Sequence, residues 1–265
     1  PWYDRTTNHQ PLLLKLSLLQ PHYPFFTDEE KFNYYLNRVP VYLEERYDHP
    51  VLSRSQAQGE VIVCERDIRR ATAAYYGMVE TVDTYYGQVM KWLENAGHDL
   101  DDWIIVYTTD HGDMLGQHGL WEKTRFYEGS VKVPLIIRWP KRFKGGTVVD
   151  ENVNLCDLFA TLCELAEIPV PDGLDSRSLV PLLEGDAGHW DNESVSQIGR
   201  HLMIKRDALK YQDYGDDGPE VLFDLEKDPG ELVNVIGEPA YAEAVATFRE
   251  QRDGIHAGAR PRYRI

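Results

Sequence analysis

The run Trp103-Ile104-Ile105-Val106-Tyr107-Thr108 puts apolar side chains at successive positions, not alternate ones. A strand of that kind asks for cover on both faces, which parallel sheets in α/β folds provide. Val133-Pro134-Leu135-Ile136-Ile137 is a second such run, and Leu12 to Ser17 reads as a third buried strand. Between them, Ile68, Thr72, Tyr75, Val79, Val82, Tyr86, Val89 and Leu93 step by three and four, which predicts one long helix over 65–95 closed by Gly97. Residues 27–63 read as an aromatic and charged excursion with one helical piece. The expected fold class is therefore α/β: part of a mixed, mostly parallel sheet sandwiched by helices.

After Pro169-Val170-Pro171-Asp172-Gly173 the pattern changes. Short apolar segments at 201–204, 209–211 and 221–223, separated by turn residues and followed by a helical stretch at 239–253, predict a small C-terminal antiparallel sheet with a helix. The expected division is residues 1–190 for the larger α/β part and 191–265 for a small α+β subdomain.

Charge excludes one class of partner. With 28 Lys and Arg against 44 Asp and Glu, the 265-residue chain carries a formal charge of −16, the wrong sign for a duplex nucleic-acid binder. No run approaches the roughly 20 apolar residues of a membrane span. Three cysteines, Cys64, Cys156 and Cys163, without a C-x-x-C pair, make neither a disulfide framework nor a zinc knuckle. Cys156 and Cys163, on one helical face with Phe159, read as buried free thiols, in keeping with a reducing compartment.

The chemistry gathers after the first strand, in Thr109-Asp110-His111-Gly112-Asp113-Met114-Leu115-Gly116-Gln117-His118-Gly119-Leu120-Trp121-Glu122-Lys123. Asp110 and His111 stand just past the carboxyl end of that strand, where open α/β sheets present ligands. A carboxylate beside an imidazole suits a divalent cation, although Asp-His-Gly also suits a plain turn. His22, between Pro21 and Pro24, and Lys123 read either as surface residues or as partners of that pair, depending on what the fold brings together.

Taken in order, several segments resemble the sulfatase family of the alkaline-phosphatase-like superfamily. They are Leu16-Ser17-Leu18-Leu19-Gln20-Pro21-His22-Tyr23-Pro24-Phe25, Asp110 through Lys123, Tyr127-Glu128-Gly129-Ser130, Asp157-Leu158-Phe159-Ala160-Thr161-Leu162, Gly173 through Leu179, and Leu222 through Glu231. The wording of the second and third is similar to choline-sulfatases. The resemblance implies a metal-assisted hydrolase of sulfate monoesters. It makes Asp110 and His111 metal ligands, and gives Lys123 and His22 contacts to the sulfate, with His22 also protonating the leaving alcohol. His118 would face substrate or pack in the loop, and Glu128 would be structural. Calcium is the implied ion, with manganese or magnesium as alternatives because one ligand is an imidazole. Aromatic residues such as Tyr34, Tyr35 and Trp121 would line a pocket for a sugar or a quaternary ammonium group, or simply pack.

The family nucleophile is a formylglycine made in a Cys/Ser-x-Pro-x-Arg motif, and none of the 15 prolines stands in such a motif. The paired aspartates that complete the family's metal site are also missing. The expectation is a C-terminal portion of a sulfatase, inactive alone. Its partners would be a sulfate ester or saccharide and the missing N-terminal part of the enzyme or a second copy, with neither nucleic acid nor membrane. A phosphonate monoester or phosphodiester hydrolase is the alternative within the superfamily, and a truncated non-catalytic binding protein the alternative outside it.

Overall fold

The computed structural model describes residues 12–43, 49–53 and 64–258. The chain divides into two compact units, Pro1–Pro40 with Arg69–Trp92, and Val41–Ile68 with Leu93–Ile265. Among the described residues no helix is long and apolar enough to cross a membrane.

In the first unit, helix α1 (Glu29–Tyr35) is the helical piece of the excursion, capped by Asp28, whose carboxylate accepts the Lys31 N–H at 2.9 Å. Residues 44–48 and 54–63 of that excursion lie outside the described residues. The segment 25–27 lies tightly on helix α2 (Glu65–Asn95), where a Cβ on Gly77 would stand 2.6 Å from the Thr27 side chain. Helix α2 runs the length expected and ends as expected. His98 N–H donates to Leu93 O, Gly97 N–H donates to Glu94 O, and Gly97 takes φ +90°.

Residues 12–19 are not the buried strand that their apolarity suggests. They carry no regular secondary structure, and Leu13 and Leu19 are 83% and 75% exposed. Apolarity asks for a neighbour, and the described residues place no strand beside this one.

In the second unit, strand β1 (Ile105–Thr108) pairs with β2 (Leu135–Arg138), Thr108 opposite Leu135. The pairing is antiparallel, so the parallel neighbours expected of these two runs are not found in this two-stranded sheet. β1 is half-buried throughout, and beside it Ile104, Ile137 and Trp139 pack with Phe143, Leu165, Val180 and Leu183. Those residues bring in α4 (Asp157–Leu165) and α5 (Val180–Leu183).

The cysteines are not buried as expected. Helix α4 turns Asp157, Ala160, Thr161 and Leu165 inward, which leaves Cys156 exposed, Phe159 53% exposed and Cys163 half-buried. Cys64 is exposed, and all three thiols are free.

The C-terminal antiparallel sheet forms as expected, with order β3 (Glu193–Ile198), β4 (His201–Arg206), β5 (Leu209–Asp213) and β6 (Val221–Asp224). Its period-2 alternation sorts side chains onto two cores. Leu202, Ile204, Tyr211 and Leu222 meet helix α6 (Ala242–Gly258) through Val245 and Phe248. Met203, Val221 and Phe223 meet Met114, Leu120, Phe126 and Tyr127. The second core matters for function, because those four residues belong to the segment that follows Asp110 and His111. The fold is thus mixed α/β, and the sheet that bears directly on the candidate site is antiparallel.

Candidate active site

The end of β1 holds the acid–imidazole couple. The Thr108 hydroxyl donates to Pro134 O at 2.9 Å, which ties the strand end to the β2 side. Asp110 projects outward with its side chain 84% exposed, and its Oδ2 lies 3.8 Å from His111 Nε2. The slight burial of the Asp110 carboxyl raises its pKa, but the His111 imidazole and the hydrogen bonds from the Thr109 hydroxyl and His111 N–H outweigh it and bring the group below its ordinary range.

His111 Nδ1 lies 2.7 Å from Gly112 O. A carbonyl only accepts, so Nδ1 carries the hydrogen and the neutral ring keeps its lone pair on Nε2, the atom facing Asp110. A backbone carbonyl holding one ring nitrogen so that the other is left to ligate is the common support of metal-binding histidines.

The chain then folds into a tight loop. Met114 N–H donates to Glu122 O, Gly116 N–H to Leu120 O, and Asp113 Oδ1 accepts from Leu115 N and Glu122 N at 3.0 and 3.3 Å. Burial pushes the Asp113 carboxyl up, and those two donors pull it partly back. Leu115, His118, Glu122 and Thr124 all take positive φ, between +46° and +68°. Backbone of that kind persists only where packing over-determines it. Lys123 stands between two such residues and is half-buried, so its stem leaves a shaped corner, not a free loop.

The packing comes from the next turn, α3 (Glu128–Val131). Gly112 N–H donates to Ser130 O at 2.8 Å, and a Cβ on Gly112 would lie 2.2 Å from Gly129 O. His118 is 4% exposed, with its ring stacked on Tyr127. Of its two expected roles, it is the packing one that this geometry displays.

Beneath the turn lies a buried ionic cluster. The β4–β5 register sets Lys205 directly opposite Lys210, a like-charge pair that would repel if left alone. Glu128 lies between them, Oε1 2.5 Å from Lys210 Nζ and Oε2 3.0 Å from Lys205 Nζ. Lys210, which has no exposed surface, also donates to Phe126 O at 2.9 Å and to Glu231 Oε1 at 2.7 Å, and Glu231 Oε2 accepts Glu128 N–H at 2.6 Å. Burial pushes both carboxyls upward. In Glu128 the two ammonium groups outweigh it and bring the group low, while in Glu231 burial prevails. Glu128 spends both carboxylate oxygens on the two lysines. The roles of Lys210 and Glu231 were missed, although a lysine inside an apolar strand was a signal.

His22 belongs to the first unit and the other four candidates to the second. Its Nδ1 lies 2.8 Å from Tyr23 O, so that nitrogen also carries its hydrogen. Asp110 and His111 offer two donors of the kind a divalent cation takes, one oxygen and one nitrogen. Among the described residues no group of three or more His, Cys, Asp or Glu side chains is arranged to hold one, and calcium takes about six to eight oxygens.

Residues 3–168 match the Sulfatase family profile, and residues 116–257 match that of N-sulphoglucosamine sulphohydrolase, C-terminal. An arylsulfatase of Clostridium perfringens is 32% identical, over 91% of this chain and 52% of the relative. A choline-sulfatase of Rhizobium meliloti is 30% identical, over 93% and 50%. The crystal structure of the phosphonate monoester hydrolase of Agrobacterium radiobacter superposes with a TM-score of 0.76 at 29% identity, over 90% of this chain and 55% of the other. The chain thus spans about half the length of the relatives it matches. With more than half of its residues inside the first profile, and Asp110, His111 and Lys123 among them, the chain belongs to the sulfatase family.

Proposed function

We propose that this chain forms the cation- and anion-facing part of a sulfuric ester hydrolase acting on sulfate monoesters. The observation that carries the reading is the Asp110 carboxylate 3.8 Å from His111 Nε2, on a ring oriented by the contact of its Nδ1 with Gly112 O. In this reading Asp110 and His111 hold a divalent cation, calcium by resemblance, with manganese or magnesium as alternatives. Bound there, the cation supplies positive charge for the ester oxygens. Lys123 adds a second fixed positive charge as negative charge grows on those oxygens. By resemblance, His22 gives a proton to the departing alcohol. His118 packs within the same loop, its ring on Tyr127.

The nucleophile has no residue of its own in these 265 positions, and the chain alone is proposed to be inactive. The rest of the enzyme, or a second copy, would cover the exposed leucines of 12–19. The test is hydrolysis of 4-nitrophenyl sulfate by the chain alone and by a full-length protein carrying a Cys/Ser-x-Pro-x-Arg segment. Turnover is expected only from the full-length protein, and Lys123→Ala there should lower kcat about 10²–10³-fold. Turnover by the chain alone, or an unchanged kcat in the lysine variant, refutes the reading.

A second reading, phosphonate monoester hydrolysis, is favoured by the similarity to the Agrobacterium enzyme. Rates of the full-length protein on 4-nitrophenyl sulfate and 4-nitrophenyl phenylphosphonate decide between the two. Sulfate binding without turnover on either would identify a non-catalytic binding protein.

A further inference from the structure

We infer that Lys210 and Glu231, in the C-terminal sheet and the turn after it, are positioning residues for the loop that carries Asp110, His111 and Lys123. The inference rests on the proposed function for its consequence in catalysis, but its structural half stands on the cluster alone.

The connection is continuous. Lys210 Nζ holds Phe126 O at 2.9 Å, and Glu231 Oε2 holds Glu128 N–H at 2.6 Å. The two thereby clamp the peptide groups on either side of Tyr127. Tyr127 carries the His118 ring, and the turn it opens presents Ser130 O to Gly112 N–H at 2.8 Å. Gly112 in turn supplies the carbonyl that fixes His111. Each link is a directional contact with little slack, since Gly112 meets Gly129 O so closely that no side chain fits between them.

The charges explain why the clamp is specific. Lys205, Lys210, Glu128 and Glu231 make two positive and two negative groups. Removing Lys210 leaves two carboxylates facing one remaining ammonium in a buried space, and relief comes from moving the turn that carries Glu128. That turn is the floor of the loop.

Two variants test this. In Lys210→Met the clamp loses its cation. In Glu231→Gln one oxygen is left to accept Glu128 N–H, while the charge and the acceptor for Lys210 Nζ are lost, so this milder variant tests the clamp if the first does not fold. Amide hydrogen exchange is read at Gly112, Met114 and Gly116, with α4 as the reference. Exchange at the three loop amides should rise about tenfold or more while α4 stays as in the wild type. No change at the loop, or equal acceleration in α4, overturns the inference.

In the full-length enzyme Glu231→Gln should lower kcat by up to about 10²-fold with KM for 4-nitrophenyl sulfate little changed, since misplacement of a catalytic loop acts on the transition state. A merely structural residue would lower the folded fraction and spare kcat per folded molecule. A wild-type full-length protein without hydrolytic activity would refute the functional reading, and the exchange measurement would still decide the coupling.

Discussion

The imidazole of His118 lies flat on the phenol ring of Tyr127, with centroids 3.9 Å apart and planes 10° from parallel. His118 takes φ +53° to reach that position. Stacked aromatic pairs contribute about 0.5–1.5 kcal/mol beyond area burial. His118→Ala should therefore lower unfolding stability by at least that amount, and His118→Phe, which keeps a ring over Tyr127, should lose less. Urea midpoints at pH 7.5 measure both, and equal losses would count against the stack.

Gly112 is irreplaceable for a reason of space. Any Cβ would sit 2.2 Å from Gly129 O, and backbone has to move to admit it. Overpacking of this kind costs about 1–3 kcal/mol. Gly112→Ala should lower the denaturation midpoint and speed exchange of its own amide, whereas Gly145→Ala, which meets nothing within 4 Å, should leave both unchanged.

His49 makes stability depend on pH. Nε2 lies 2.7 Å from Pro219 O and Nδ1 accepts from Val51 N and Leu52 N at 3.1 Å, contacts that suit a neutral ring, and burial holds its pKa below the ordinary value of 6.5. A group whose native pKa is depressed binds protons more readily unfolded, so its stabilisation is complete above about pH 6.5 and is lost as pH falls toward the native value. Glu231 works in the opposite sense at lower pH, because burial raises it. The comparison is therefore between the wild type and His49→Gln. Their urea midpoints should converge as pH falls from 7.5 to 5, and a constant gap would remove His49 as the cause.

Asp157 joins two distant motif segments. Its Oδ2 accepts Asn154 N–H at 2.8 Å and its Oδ1 accepts Arg177 N–H at 2.9 Å, with the side chain wholly buried. Asp157→Ala strands two half-buried backbone donors and should cost about 1–3 kcal/mol. Asp157→Asn, with one acceptor oxygen left, should recover part of that loss in the same denaturation experiment.

How much of this was legible depended on the range of the physics involved. Helix α2 declared itself by periodicity and by Gly97, both local signals, and the C-terminal strands did so by alternation and turns. The apolar run at 12–17 read as a buried strand and is instead exposed, because burial requires a partner that no local pattern supplies. The inward face of α4 was misjudged for the same reason: Cys156, Phe159 and Cys163 form one face, but the neighbours lie over Ala160, Thr161 and Leu165. Asp110, His111 and Lys123 could be picked out because they are close in sequence and match a family pattern, whereas Lys210 and Glu231 act across 84 and 103 residues and carried no motif of their own role.

Residue order alone determined the elements whose causes are short-ranged: the long helix with its glycine stop, the alternating C-terminal strands, and the acid–imidazole pair at the end of a strand. Tertiary structure alone decided which strand paired with which, that β1 and β2 run antiparallel, and that a lysine buried in the C-terminal sheet holds the floor of the candidate site. Propensity and periodicity act over a turn or two of chain. Charge neutralisation and close packing act through space, and only the folded chain specifies which groups meet.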